Sequence, residues 1–229
     1  MLPNTSLLHV QETTLAEGGV LTIAHAVVPH LHIEIDDDIS VFGLAIPRSG
    51  GTPGEDRIAH LSEHMIMRCD RGEGELHELL ELFCSSGWWQ AITTARCIAF
   101  EVASYTPDCF WRSASALSGA LFGLRICADQ FASEADPLFG RMGTELAAEP
   151  SLRASLLARA AQALIGIVPD NSTSSVEAEE LRNWHRANVS PHSVLWFTYG
   201  RMQYAAAALF VSNLLATFEG SSDIERLRK

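Results

Sequence analysis

Two histidines and a glutamate lie close together in the segment HLSEH at residues 60–64. If residues 55–69 form a helix, His60 and His64 lie one turn apart on the same face, and Glu63 projects beside them. Two imidazoles at this spacing can both reach one metal ion. The order H-x-x-E-H is typical of the inverted zinc peptidases, so the segment predicts a zinc site.

The composition is that of a globular protein with one sizeable core. The chain has 229 residues, of which 47% are hydrophobic and 19% charged, and it has no apolar run long enough to span a bilayer. Its net charge of −12 argues against a nucleic-acid partner, because no basic stripe exists to displace counterions from phosphates. We therefore expect a soluble protein that binds neither nucleic acid nor membrane.

The five cysteines indicate a reducing compartment. They are odd in number, form no C-x-x-C pair, and several fall on apolar faces, which is typical of reduced core thiols. The N-terminus lacks the basic start and apolar core of a signal peptide. We expect a cytoplasmic protein.

Strand and helix patterns mix without strict alternation along the chain. Strands are predicted at 18–24, 39–47, 88–94, 97–104 and 193–199, and helices at 55–69, 75–84, 107–128, 136–165, 176–188 and 202–218. This order favours an α+β fold over a doubly wound parallel sheet. With no internal repeat and no composition shift, one domain is expected over residues 1–218, followed by a mobile tail at 219–229.

Other polar clusters have simpler interpretations. His25, His30 and His32 could suggest a second metal site, but their spacing straddles a predicted loop, which favours strand or surface histidines. The acidic run at 36–38 could bind a cation, although a solvated turn is the better interpretation. The chain has no G-x-S-x-G segment and no phosphate-binding glycine loop, so nothing predicts a serine nucleophile or a nucleotide site.

The chain resembles the pitrilysin/insulysin family, which includes the mitochondrial processing peptidases. Residues 54–67 (GEDRIAHLSEHMIM) are similar to the family's zinc-motif segment, residues 90–93 (QAIT) to its Asn-Ala-x-Thr strand, and residues 184–200 to its late helix and the strand that ends in glycine. The resemblance implies an α+β fold with a single antiparallel β-sheet packed against helices. Such a domain is one half of a two-half clamshell metallopeptidase.

The resemblance also implies the composition of the zinc site. Beside His60 and His64, the family uses a glutamate about 75 residues after the motif as third ligand. Glu145, which is followed by an aliphatic residue, fits this position best, with Glu134 as the alternative. Zinc-bound water would then be the nucleophile, and Glu63 would act as its general base.

The segment around residues 88–94 is the candidate for substrate binding. If this strand lies at a sheet edge beside the zinc site, Gln90, Ala91 and Thr93 could hold an extended peptide by main-chain pairing. Trp88 and Trp89 could form a substrate platform, although packing is at least as common a role for them.

Family enzymes join two half-domains, whereas this chain has the length of one. The resemblance therefore implies a second half-domain subunit, either a motif-less partner in a heterodimer or a second copy in a homodimer. The leading hypothesis is a zinc endopeptidase subunit, with precursor-peptide processing as one role. The alternative is a non-catalytic scaffold or peptide-binding subunit that retains the fold, favoured by Leu138, which stands where the family carries a second glutamate.

Overall fold

A computed structural model of the protein describes residues 9–16, 18–25, 28–48, 53–68, 87–93, 97–126, 128–129, 131–132 and 176–219. The strands in these ranges are β1 (His9–Thr14), β2 (Val20–His25), β3 (Pro29–Glu34), β4 (Ser40–Pro47), β5 (Gly87–Thr93), β6 (Cys97–Ser104) and β7 (Leu195–Gly200). The helices are α1 (Pro53–Arg68), α2 (Pro107–Phe122), α3 (Ala178–Asn188) and α4 (Tyr204–Glu219). None of the described helices is long and apolar enough to cross a bilayer.

The strands form one sheet in the order β1-β2-β3-β7-β4-β6-β5. All neighbouring pairs are antiparallel except β3 and β7, which run parallel. The predicted α+β class is confirmed, but the sheet is mixed rather than wholly antiparallel. The parallel pair forms because β7 returns to the sheet after a long excursion through α3, and parallel pairing needs such a crossover.

The main core lies between one face of the sheet and the helices. Alternate residues of β4 and β6 point to this face, as the period of two in a strand requires, and they meet the apolar stripes of α1, α2 and α4. The buried residues include Phe42, Leu44, Ile46, Ile98, Phe100, Val102, Trp196, Leu61, Met65, Leu117 and Leu121. This packing fixes α1 over the β6 and β5 side of the sheet.

The intervening residues form a second apolar cluster on the other face. Val41, Ala99 and Phe197 are almost fully buried there. Cys97 belongs to the same cluster and is a free thiol, in agreement with the reduced core cysteines predicted from the sequence. Both faces of the sheet centre are therefore apolar.

The described elements differ from the predicted ones at a few places. β1 was not predicted, and the segment around His30, which was placed beside a predicted loop, is strand β3. α2 ends at Phe122 instead of near residue 128, because Gly123 leaves the helical conformation while its N–H still bonds the Gly119 carbonyl. The helices predicted at 75–84 and 136–165, and residues 220–229 of the tail, lie outside the described residues.

Candidate functional site

α1 buries most of its surface and exposes one polar stripe. Ala59, Leu61 and Met65 are almost fully buried, whereas His60, Glu63 and His64 are each half-buried. The spacing i, i+3, i+4 puts these three residues on neighbouring positions of one face. The helix packs against α2, α3, β5 and β6, so the apolar positions anchor it and fix where the polar stripe points.

The two histidines of the stripe stack on each other. The ring centroids of His60 and His64 are 5.0 Å apart, with an angle of 24° between the ring planes. The sequence predicted the helix that puts them one turn apart on one face. Neutral imidazoles are common zinc ligands, so the pair suits a metal and could supply two of the three protein ligands of a catalytic zinc.

The carboxylate of Glu63 is tied to the sheet. The hydroxyl of Thr93, at the end of β5, donates a hydrogen bond to Oε2 of Glu63. The residues are 30 positions apart in the chain, so the bond depends on how α1 packs against β5. It orients the carboxylate relative to the sheet.

A cleft of about 300 Å³ opens beside this carboxylate and is lined by Glu63, His64, Met67, Trp89, Gln90 and Ala91. Among the described strands, β5 is the last of the sheet on this side, with β6 as its only neighbour. An edge strand presents one row of main-chain N–H and C=O groups that no strand satisfies. The structure therefore brings a sheet edge next to Glu63 and His64.

The three residues predicted to bind substrate do not all point the same way. Thr93 faces α1, and Ala91 packs on the same side against the main core. Gln90 lies on the opposite side of the strand, where its amide donates to Oε2 of the buried Glu101 at 3.4 Å. The side chain of Gln90 thus lies on the face of β5 opposite to Ala91 and Thr93.

Met67 lines the cleft but was not singled out as a site residue, whereas Trp89, which was named as a possible substrate platform, lines it as well. Met67 lies four positions after Glu63, hence on the same helical stripe, and Trp89 alternates with Ala91 and Thr93 along β5. The helical spacing from Glu63 is the signal that could have identified Met67.

The third metal ligand falls on a part of the chain that the structure does not describe. Glu145 and Glu134, the two candidates, lie outside the described residues, as does Leu138. Within the described ranges, no group of three His, Cys, Asp or Glu side chains converges on one point. The assignment of Glu145 therefore stays a prediction.

His30 and His32 form a buried hydrogen-bond network. Nε2 of His30 and Nδ1 of His32 both lie 2.8 Å from Oγ1 of Thr198, and Nε2 of His32 lies 2.8 Å from the Met202 carbonyl. A carbonyl only accepts, so neutral His32 carries its proton on Nε2; Thr198 then donates to Nδ1 and accepts from His30. The rings also pack against Tyr204.

Burial keeps these histidines neutral. It lowers the pKa of His30 to about 4, with His32 as a further cause, and it also lowers the pKa of His32. The strand interpretation of these residues is thus correct, and the surface interpretation is wrong. Because hydrogen bonds occupy both ring nitrogens of His32, neither nitrogen is available to a metal. The role of His30 and His32 is therefore structural.

The acidic run at 36–38 is a turn held by the end of the sheet. Arg201 contacts Asp36 at 2.5 Å and Asp38 at 2.9 Å. Tyr199 donates to Asp37 at 2.7 Å, which lowers the pKa of that carboxyl. These contacts agree with the predicted turn.

The comparisons with known proteins establish the fold. No family model and no curated protein sequence matches this chain, whereas solved structures do. A protease from Helicobacter pylori aligns with a TM-score of 0.64 and 11% identity, over 90% of this chain and 50% of that one. A peptidase M16 inactive domain from Pseudomonas fluorescens aligns with a TM-score of 0.60 and 13% identity, over 91% of this chain and 50% of that one.

An M16-like peptidase from Alicyclobacillus acidocaldarius gives a TM-score of 0.61 and 13% identity, over 94% of this chain and 50% of that chain. The chain thus spans about half the length of these proteins. Its fold is that of an M16 half-domain, in agreement with the resemblance seen in the sequence.

Proposed function

We propose that this chain is the metal-binding subunit of a zinc-dependent endopeptidase. The observation that carries the proposal is the constellation on α1: two stacked imidazoles with a carboxylate beside them, facing a cleft walled by an edge strand. A helix that only packed against the sheet would gain nothing from three half-buried titratable groups on one stripe.

His60 and His64 would hold the zinc, with Glu145 as third ligand and Glu134 as its alternative. When bound, zinc acidifies water and polarises a peptide carbonyl, which is the chemistry that peptide hydrolysis needs. The donor set of two imidazoles and a carboxylate matches what catalytic zinc sites use.

Glu63 would act as the general base. Its carboxylate lies at the cleft, where it would accept a proton from water and return it to the leaving amine. Thr93 would hold the carboxylate in one orientation while this happens.

β5 would bind the substrate in extended form. Its outward main-chain groups fall on alternate residues, so either Gln90 or the pair Ala91 and Thr93 can bond a peptide that adds as a further strand. An extended peptide in this place would pass directly in front of Glu63 and His64, since all of these residues border the same cleft or contact it.

A second half-domain would complete the enzyme. The solved structures with this fold are about twice as long as this chain, so a partner subunit or a second copy would supply the missing half. A heterodimer that encloses a peptide between its halves would suit the trimming of a precursor peptide.

Elemental analysis of the purified protein, followed by peptidase assays with and without a candidate partner, tests the proposal. We expect one zinc per chain, retained in Glu63→Gln and lost in His60→Ala, while both variants lose cleavage. A wild-type chain that takes up no zinc would refute the metal assignment, and full cleavage by Glu63→Gln would refute the base.

The second candidate is a non-catalytic scaffold or peptide-binding subunit. One structure with this fold is a peptidase M16 inactive domain. The zinc measurement separates the two candidates, because a scaffold that lost its chemistry would bind peptide at β5 without needing the metal.

A further inference from the structure

A second cavity of about 360 Å³ lies between the end of α2 and the helix α3, and it shares no residue with the cleft beside Glu63. Part of its wall is apolar and includes Phe122, Leu124 and Val189. Arg182 and Arg186 line the cavity as well, from successive turns of α3. The cavity therefore combines an apolar surface with positively charged side chains.

This concentration of arginine is unusual for an acidic chain. The protein has 28 acidic and 16 basic residues, yet no carboxylate is among the described residues that line the cavity. Arg182 bonds the Glu179 carboxylate at 2.9 Å and the Ile126 carbonyl at 3.2 Å, and Arg186 bonds Asn183 at 3.1 Å. A guanidinium has five N–H groups, so both arginines keep donors for an anion.

His185 adds a buried acceptor to the same wall. One ring nitrogen bonds the Leu121 carbonyl, while Nδ1 is buried and has no hydrogen-bond partner among the described residues. Because a carbonyl only accepts, the bonded nitrogen is the protonated Nε2, and Nδ1 carries a lone pair. Burial lowers the pKa of this ring to about 4, so Nδ1 is an unmet acceptor at neutral pH.

We infer that this cavity binds an N-acylated apolar amino acid with a free carboxylate, the chemistry found at the C-terminus of a peptide. The carboxylate pairs with Arg182 and Arg186, since guanidinium groups bind carboxylates with good geometry. The amide N–H donates to Nδ1 of His185. The side chain packs on Phe122 and Leu124, and the volume is at the small end for ligand sites, about 300–1,000 Å³.

Three small probes test the three contacts, by calorimetric and NMR titration of the full chain. N-acetyl-leucine carries all three groups and is expected to bind. N-acetyl-leucinamide lacks the anion and isocaproate lacks the N–H, so each should bind about tenfold more weakly. Equal affinity for the acid and its amide, or no binding of N-acetyl-leucine, would overturn the inference.

Variants locate the site within the chain. Arg186→Gln should weaken N-acetyl-leucine about tenfold, whereas Arg112→Gln, the same charge change at an exposed position of α2, should not change its affinity. His185→Gln keeps a donor for the Leu121 carbonyl and removes the Nδ1 acceptor, so it should reduce the affinity for N-acetyl-leucine to that for isocaproate. Equal weakening by the two arginine variants would show a nonspecific charge effect and contradict the site.

The source of the ligand is decided by a longer probe. A peptide that ends in leucine with a free carboxylate should bind like N-acetyl-leucine if the site receives peptide C-termini. Binding of the small acid alone supports the same site with a free N-acyl amino acid as ligand. Because these titrations need neither zinc nor cleavage, their failure and the failure of the proposed peptidase function can be told apart.

Discussion

Thr93 and Glu63 join the edge of the sheet to the helix that carries the HLSEH segment. The hydroxyl of the last residue of β5 donates to the carboxylate that lies beside the stacked imidazoles. The strand that would receive a substrate is thus directly bonded to the group that would accept a proton. A substitution in β5 that removes this hydrogen bond should therefore change the orientation of the Glu63 carboxylate.

Thr93→Val keeps the shape of the side chain and removes the donor. In the complete enzyme we expect kcat to fall about tenfold, since one hydrogen bond to a charged group is lost, while the zinc content stays the same. Thr93→Ser, which restores the hydroxyl, should recover most of the activity. Steady-state cleavage of a peptide measures both, and unchanged kcat in the valine variant would mean that the contact has no role in positioning Glu63.

Zinc should stabilise the folded chain. A ligand that binds only the native state, present at about 100 times its Kd, adds about 3 kcal/mol, which raises the Tm of a chain of this size by roughly 5–10 °C. His64→Ala should abolish the shift, and His25→Ala, which removes an exposed histidine of β2, should leave it intact. Thermal unfolding of the chelator-treated protein with and without zinc makes the comparison. Equal shifts in the two variants would argue against the predicted ligands.

Gly87→Ala should loosen β5. Gly87 has a φ of 154°, and a Cβ there would lie 2.0 Å from the Ala103 carbonyl oxygen, so the strand would have to move away from β6. We expect a loss of about 2 kcal/mol or more in the free energy of unfolding, together with lower cleavage. Gly18→Ala is the control, because Gly18 has a φ of 87° but open space around it. If both variants lost the same stability, the close approach at Gly87 would not be limiting.

Stability should fall as the pH drops below 6.5. The pKa of His30 and that of His185 are lowered from 6.5 to about 4, and that of His32 is lowered too. The unfolded chain then binds protons that the folded chain does not, so stability is fully present above pH 6.5 and is lost as the pH approaches 4. A pKa that is lowered by one on folding changes the free energy of unfolding by about 1.4 kcal/mol across the titration. The burial of His30 alone should therefore account for a loss of about 3 kcal/mol in the free energy of unfolding when the pH falls from above 6.5 to below 4.

Urea unfolding between about pH 7.5 and pH 4.5 measures this decline. His30→Gln cannot titrate but keeps a donor for Thr198, so its stability should fall less steeply than that of the wild type. Parallel profiles would show that His30 does not gain its proton on unfolding in this range.

The elements that carry the site could be predicted because their signals are local. HLSEH needs only helical spacing, and the strands around β5 and β6 alternate clearly. β1 was missed because its segment HVQETT is mostly polar and pairs only with β2. The parallel pairing of β3 with β7 depends on residues more than 160 positions apart, as the His30–Thr198 contact shows.

Contacts between different helices and strands could not be predicted from the sequence either, because the residues that meet are far apart in the chain. The Thr93–Glu63 hydrogen bond follows from how α1 lies over β5, and no spacing along the chain encodes it. The cavity of His185 likewise needs the end of α2 to lie against α3. In both cases the sequence shows which residues are present, but whether they contact each other depends on tertiary packing.

Recognition through the backbone of β5 would be indifferent to the side chains of the bound chain, because every residue except proline offers the same N–H and C=O groups. Among the described residues, Met67 and Trp89 are the large apolar side chains at the cleft, so they would favour one cleavage point over another. A site built in this way would choose its targets first by their lack of folded structure, and only then by a bulky hydrophobic residue near the scissile bond.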